Sequence, residues 1–372
     1  MLAPSPTTTN ADGLYVGLMS GTSLDAIDAV LLQCGSTIEL ISSHSHPIPE
    51  PLRLDIINLC QPSTNEIDRA GVVHIALGHV FADATLAVLK QANVAASTVR
   101  AIGCHGQTIR HRPTDGFSLQ IGSADVLAVR TGIAVVSDFR NKDIALGGQG
   151  APLVPAFHQA LWGQHSRCAV VNIGGMANFT FMENGSVVSG YDSGPGNVLM
   201  DQWIQLHHSQ RFDQDGRWAS SGAVLPDLLS SMLADPYFSM PAPKSTGRER
   251  FNRHWLEQHL AHASNAARPE DIQATLLELT ACSISTALLP LTPSQALICG
   301  GGARNTALIK RLQQQLSATS VMVTDDAGMP ADWVEGAAFA WLAWARLSGL
   351  PGNITEVTGA RNKAVLGALY LP

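Results

Sequence analysis

Apolar and polar positions alternate in short blocks along this chain. Residues 14–18 are apolar, a polar Ser20-Gly21-Thr22-Ser23 turn follows, and residues 29–32 are apolar again, which predicts a hairpin with a polar tip. Val72, Ile75, Leu77, Val80, Phe81, Leu86 and Leu89 recur at helical spacing and predict a helix over 67–91. Residues 99–104 read as a strand ending at His105-Gly106-Gln107-Thr108. A short helix over 124–130 and a strand over 133–136 follow, running into Asp138-Phe139-Arg140. In the second half, residues 168–173 form a strand that ends in Gly174-Gly175. Residues 178–182 and 187–190 flank Asn184-Gly185, a pair that favours a tight hairpin turn. Asp192 to Asn197 then opens a helix over 198–207. A long helix is expected over 272–289, a strand over 296–299, and helices over 305–316 and 333–347. Residues 210–250 are polar and loop-rich, and the tail from Pro351 is irregular.

Strands followed by glycine turns and helices recur in both halves, the pattern of an α/β protein with two similarly built domains. A length of 372 residues agrees with two to three domains. The boundary is placed ahead of the Gly/Pro-dense stretch 147–152. Domain I takes 1–137 with a C-terminal tail of about 348–372, and domain II takes 138–347. Lys and Arg number 23 against 30 Asp and Glu, a net −7 with no long run of one sign, which argues against a nucleic-acid partner. With 45% hydrophobic and 14% charged residues there is material for a large core, which excludes global disorder. The six cysteines form no CxxC pair and read as buried, reduced thiols. Residues 1–12 lack the charged and apolar regions of a signal peptide, and no long uninterrupted apolar stretch predicts a membrane span. A cytoplasmic protein without a membrane partner is expected.

Five constellations carry chemistry. In Gly17-Leu18-Met19-Ser20-Gly21-Thr22-Ser23-Leu24-Asp25-Ala26-Ile27-Asp28, glycine and small hydroxyl residues let backbone N–H groups approach a phosphate, while Asp25 and Asp28 are candidate ligands for Mg²⁺, directly or through water. An ordinary Ser/Gly hairpin turn has the same composition. Asn172-Ile173-Gly174-Gly175-Met176-Ala177-Asn178 and Cys299-Gly300-Gly301-Gly302-Ala303-Arg304-Asn305 place glycines after a strand, where a backbone can lie against a nucleotide. A bland packing turn is the alternative for each, and the absence of GxxxxGK[ST] excludes a Walker-type loop. Asp192, on a strand end before Gly194-Pro195-Gly196, suits a general base, or else caps the following helix. His105, Gln107, Thr108, His111 and Arg140, with Asp138 and Asp143 beside them, offer donors suited to sugar hydroxyls, amides and carboxylates. Metal ligation by His105 and His111 has no supporting spacing.

Taken in this order, GLMSGTSLDAID, CHGQTIRHRP, IGSADVLA, DFRNKDIALGGQGAPLVP, NIGGMAN, YDSGPGN and GGGARN make the chain resemble the anhydro-N-acetylmuramic acid kinase family, over residues 17 to about 367. Ala26, Met176, Tyr191 and Ser193 depart from the residues common in that family, and none removes a functional group. The resemblance implies a two-domain actin-like ATPase fold (the sugar kinase/Hsp70/actin superfamily), with a mixed sheet in each domain and the ATP cleft between them. It implies that residues 21–28 bind the ATP phosphates, that Gly300, Gly301 and Gly302 with Asn305 bind the adenosine end, and that Asp192 is the catalytic base. The motif NIGGMAN contributes Gly174, Gly175 and Asn178 to the nucleotide site.

The implied reaction converts ATP, water and 1,6-anhydro-N-acetylmuramic acid into N-acetylmuramic acid 6-phosphate and ADP during peptidoglycan recycling. His105 and Gln107 then face the sugar, Arg140 or Arg130 pairs with its lactyl carboxylate, and Glu335 holds a sugar hydroxyl. The family also implies a homodimer. Two other readings use the same residues: a conventional sugar kinase acting on a free hydroxyl, and a non-catalytic nucleotide-binding module.

Overall fold

The computed structural model describes residues 11–21, 24, 26–261 and 267–372. Thr22, Ser23 and Asp25 of the expected phosphate turn lie outside the described residues, as does the N-terminal segment through Asn10. The chain divides into two units, Met1–Phe157 with Glu335–Pro372, and His158–Val334.

The first unit carries β1 (Gly13–Ser20), β2 (Ala26–Cys34), β3 (Glu39–Pro47), β4 (Val99–Cys104), β5 (Gln107–Arg112), β6 (Phe117–Ile121) and β7 (Val135–Ser137). Its main sheet runs from the C-terminal strand Ala368–Tyr370 through β7, β4, β1 and β2 to β3. β1, β2 and β3 pair antiparallel, whereas β1–β4 and β4–β7 are parallel. β5 and β6 form a separate hairpin. The expected hairpin over 14–32 is present and longer, with Ser20 opposite Ile27. β3 had no apolar signal, because an edge strand reading ELISSHSHP keeps most of its side chains at least partly in water.

The long helix is Glu66–Ala92, and Asn93 ends it in the left-handed conformation at φ 54°. Its buried face is Val73, Leu77, Val80, Phe81, Ala84 and Val88. Val72, Ile75 and Leu86, counted as part of the apolar stripe in the sequence, are exposed. This helix and the one beginning at Pro269 are long and apolar enough to cross a membrane, yet 56% and 67% of those stretches is buried inside the protein. Cys34, Cys104, Cys168 and Cys299 are buried as expected, Cys282 is half-buried and Cys60 is exposed.

The second unit is a five-stranded sheet of β8 (Arg167–Ile173), β9 (Met176–Glu183), β10 (Ser186–Pro195), β11 (Gln295–Cys299) and β12 (Ser320–Val323), in the order β10-β9-β8-β11-β12. β8, β9 and β10 are antiparallel, and β8–β11 and β11–β12 are parallel. Five strands of the first sheet, β3-β2-β1-β4-β7, follow the same order and polarity. The two units therefore share one topology, although their sequences show no repeat.

Residues 138–157 and 335–347 pack with the first unit rather than the second, so the unit boundaries lie some way from those placed by composition. The Gly/Pro-rich stretch reads as a linker but is tied into the first unit by hydrogen bonds. Buried Asp143 accepts from Asn353 Nδ2 at 2.7 Å and Thr358 Oγ1 at 2.8 Å, and Gln149 N–H donates to Thr358 O at 2.8 Å. The helix Val334–Leu347 lies directly on β1 and β4. A Cβ on Gly17 would sit 1.9 Å from Gly336 O, and one on Gly103 would sit 1.9 Å from Phe339 O. The helix leaves no room for a side chain on either strand at those points, which explains its alanine-rich sequence.

Gly103→Ala should destabilise the protein by about 3 kcal/mol through this overpacking. Gly71→Ala, in the helix Glu66–Ala92 with nothing within 4 Å of where the added methyl group would sit, should stabilise it by about 0.5–1 kcal/mol. Urea unfolding of the two variants checks the opposite signs.

Candidate active site

The second unit gathers its polar chemistry through strand register. Asn172 on β8 lies opposite Asn178 on β9, which lies opposite Asp192 on β10, while Cys299 on β11 flanks Asn172. Directly opposed residues share one face of a sheet, so Asn172, Asn178 and Asp192 form a row across three strands. β10 extends through Pro195, beyond the 187–190 expected, and Asn197 precedes the helix Val198–His208. Asp192 is thus a strand residue and does not cap that helix.

Asp192 is fixed at three atoms. Thr246 N–H donates to its Oδ2 at 2.9 Å, Tyr237 OH donates to its carbonyl oxygen at 2.6 Å, and its own N–H donates to Lys244 O at 3.3 Å. The register between β9 and β10 shifts between Asp192 and Gly194, and the intervening Ser193 donates its hydroxyl to Ala177 O at 3.2 Å. The residues that hold Asp192 come from the stretch 210–250, which sequence patterning left as loop. The signal for them is slight, since Pro243-Lys244-Ser245-Thr246-Gly247 has no periodicity to reveal it.

The glycine turns of this unit serve two purposes. Gly174-Gly175 docks on the start of the helix Val198–His208: Asn197 N–H donates to Gly174 O at 2.8 Å, and Gly196 N–H to Gly175 O at 2.9 Å. Gly300 has φ 77°, and its Cβ would meet Asn172 Oδ1 at 2.3 Å; a Cβ on Gly302 would meet Ile173 Cγ2 at 2.3 Å. Gly174 and Gly301, by contrast, have no atom closer than 3.6 Å and 3.7 Å to that position. Gly300 and Gly302 are packing glycines, whereas a Cβ at Gly174 or Gly301 would make only ordinary van der Waals contact. Asn172 Oδ1 is buried with no hydrogen-bond partner, an acceptor a bound group can satisfy. Asn305 accepts from Leu308 N–H at 3.0 Å and caps the helix Thr306–Gln315. A groove of about 350 Å³ runs along that helix, lined by Ala274, Leu277, Glu278, Ala307, Lys310 and Arg311 among others. None of its lining residues belongs to the Asp192 row.

The first unit brings His105 and Arg140 together. Arg140 Nε and Nη2 lie 3.1 and 2.8 Å from His105 Nε2, and Nη1 donates to Gly150 O at 2.7 Å. His105 Nδ1 is 2.8 Å from Gly106 O, a carbonyl that only accepts, so Nδ1 carries the proton and Nε2 is the acceptor facing Arg140. Burial, and then the Arg140 charge, hold the imidazole well below its usual pKa, which keeps it neutral. His111 is likewise lowered, to about 4, by burial and then by Arg140 and Arg112. Gln107 is buried, and its Oε1 has no hydrogen-bond partner. Asp143 accepts from Gly150 N–H at 2.8 Å and so fixes the carbonyl that Arg140 binds.

Arg130 stands apart from this cluster: it donates to His79 O at 2.9 Å and pairs with Asp83 at 2.9 Å between two helices. Glu335 is half-buried in the first turn of the helix Val334–Leu347. At the hairpin, Leu24 has φ 57° and donates its N–H to Gly21 O at 3.2 Å, and Asp28 accepts from Ser45 Oγ at 3.2 Å. Ser20 Oγ is buried with no partner. Among the described residues, no group of three or more His, Cys, Asp or Glu is placed to hold a metal ion.

A family model described as anhydro-N-acetylmuramic acid kinase matches residues 13–372. The chain is 52% identical to the anhydro-N-acetylmuramic acid kinase of Pseudomonas paraeruginosa, over 96% of this chain and 98% of that protein. It is 48% identical to the kinase of the same name from Saccharophagus degradans, over 96% and 99%. Among solved structures, the activator of 2-hydroxyisocaproyl-CoA dehydratase from Clostridium difficile with bound ADPNP is 12% identical, with 90% of this chain and 95% of that one covered and a TM-score of 0.47. The ROK hexokinase from Thermus thermophilus is 14% identical, with 89% and 98% covered and a TM-score of 0.38.

The split among the glycines can be read experimentally. Gly302→Ala should lower the melting temperature by several degrees, at roughly 2–4 °C per kcal/mol. Gly301→Ala should leave melting unchanged and weaken nucleotide binding, measured by calorimetric titration.

Proposed function

The chain belongs to the anhydro-N-acetylmuramic acid kinase family, and on that premise we propose which of its residues carry the reaction. The enzyme is a phosphotransferase that uses ATP. It opens 1,6-anhydro-N-acetylmuramic acid with water and phosphorylates O6, giving N-acetylmuramic acid 6-phosphate and ADP in peptidoglycan recycling. In this sugar O6 is bonded to C1, so no 6-hydroxyl is available to deprotonate. The base must act on water instead.

The observation that carries the assignment is the Asp192 carboxylate, held on a strand row by the Thr246 N–H at 2.9 Å. Asp192 takes a proton from a water that attacks C1. The water oxygen–C1 bond forms as C1–O6 breaks, and O6 then takes the γ-phosphoryl group as the bond to ADP breaks. Gly174 and Gly301, whose backbones are not tightly packed by neighbouring atoms, lie against the nucleotide, and Asn172 Oδ1 offers it a buried acceptor. Gly300 and Gly302 shape that loop, and Asn305 acts through the helix it caps.

In the first unit, the turn from Gly21 to Asp28 receives the phosphates. Its donor set suits Mg²⁺, which needs only one or two protein carboxylates beside water and phosphate oxygens. Asp28, with Asp25 nearby in sequence, would hold it, and the buried, unpartnered Ser20 Oγ borders the same turn. Bound there, Mg²⁺ supplies charge neutralisation on the phosphoryl oxygens. Arg140, aimed by the neutral His105, is the better partner for the lactyl carboxylate than Arg130, which pairs with Asp83. Gln107 and Glu335 complete the sugar contacts. A cytoplasmic homodimer completes this reading.

ADP release with Mg-ATP should be fast only with the 1,6-anhydro sugar, and slow with N-acetylmuramic acid or with no acceptor. Asp192→Asn should lower kcat by roughly 10²–10⁴-fold and leave ATP binding nearly intact. Release with the free sugar would favour a conventional kinase, and near-normal turnover of Asp192→Asn would remove it as the base.

A further inference from the structure

Residues 235–250 form a strap whose two ends are locked together over Asp192. At one end, Asp235 accepts from Tyr237 N–H at 2.8 Å and from Trp255 Nε1 at 2.9 Å, and pairs with Arg250 at the other end. Lys244 closes the middle. Its Nζ donates to Tyr237 O at 3.0 Å and Phe238 O at 3.3 Å. The same ammonium lies 4.7 Å from the Tyr237 ring centroid and 5.2 Å from that of Tyr191. Two aromatic faces and two carbonyls thus surround one cation, an arrangement that strengthens as water is removed. Tyr191 is the residue before Asp192 and packs edge-to-face on Phe179 at 4.6 Å.

Three hydrogen bonds reach Asp192 from this strap, to or from Tyr237 OH, Lys244 O and Thr246 N–H. Lys244 therefore links the strap to itself through its side chain and to Asp192 through its main chain. A polar Lys-Ser-Thr segment on a loop would otherwise have no reason to bury part of a cation.

The geometry points to Lys244 and Tyr237 as positioning residues for the reaction: Lys244, held between the rings of Tyr191 and Tyr237, fixes the strap so that Tyr237 OH holds the Asp192 main chain and Thr246 N–H aims its carboxylate. This rests on Asp192 being the base. Neither residue needs to touch the sugar or the nucleotide. Misaiming a reacting group by about 1 Å can cost on the order of 10²-fold in rate, so the strap affects the chemical step more than binding.

The test compares Tyr237→Phe, Lys244→Met, Lys244→Arg and Asp192→Asn in the full-length protein with Mg-ATP and the anhydro sugar. Tyr237→Phe keeps the ring and removes only the hydroxyl, and should lower kcat about tenfold. Lys244→Met keeps the length of the side chain and loses the cation, and should lower kcat by roughly 30–100-fold. KM for ATP should stay within about twofold in both. Lys244→Arg should recover most of the loss, because a guanidinium also stacks on aromatic faces. A packing role alone would be met by methionine and would not be rescued by arginine. If Lys244→Met fails to fold, Tyr237→Phe decides. Wild-type kcat in Tyr237→Phe and Lys244→Met, with Asp192→Asn inactive, would overturn the strap's role. Turnover in Asp192→Asn would instead overturn the base on which it rests.

Discussion

The hydrogen bond from Thr246 N–H to the Asp192 carboxylate, at 2.9 Å, ties a loop to a sheet. A carboxylate can serve as a base at one fixed point only if its backbone cannot drift and its charge is supported. The sheet meets the first condition by setting Asp192 in register with Asn178 and Asn172. The loop meets the second with the Thr246 N–H, a hydrogen-bond donor on the carboxylate. The rest of the second unit follows from those two conditions. Pro195 and Gly196 turn the chain directly from the strand into the helix Val198–His208, and the Gly174-Gly175 turn docks on that helix start.

The first unit solves a related problem with different groups. Arg140 is held by His105 and by Gly150 O, and Gly150 is held by buried Asp143, itself bound by Asn353 and Thr358 from the C-terminal segment. A neutral imidazole with Nδ1 protonated is an acceptor for the guanidinium, whereas a charged one would repel it. Burial keeps His105 in the neutral form. Both units build these sites on one strand order, three antiparallel strands followed by two parallel ones.

Much of the fold was legible because apolar strands end in glycine turns. The hairpin and the three-glycine turn after β11 carried that signal, and the helix Glu66–Ala92 was legible from apolar positions at helical spacing. β3 did not, since a half-exposed edge strand has no apolar face to announce it. Nor did composition separate the glycines. Gly17, Gly103 and Gly302 are required by close packing, while Gly174 and Gly301 have only ordinary contacts where a side chain would start, and the letters are identical. The same limit applies to the unit boundary, where Gly147 to Pro152 looks like a linker but is bound to Thr358 and Asp143. The strand end that carries Asp192 was legible from its motif, and β10 does run through it. The surroundings of Lys244 and Tyr237 were not, because those aromatic faces and carbonyls are brought together only by folding.

The central claim is that water, not a sugar hydroxyl, is the group deprotonated. Single-turnover reaction in ¹⁸O-labelled water tests it most directly, with the product analysed by mass spectrometry before anomeric exchange. The account predicts one ¹⁸O at C1 of the sugar phosphate and none in the transferred phosphoryl group. A product free of label at C1, or label appearing in the phosphoryl group, would contradict it.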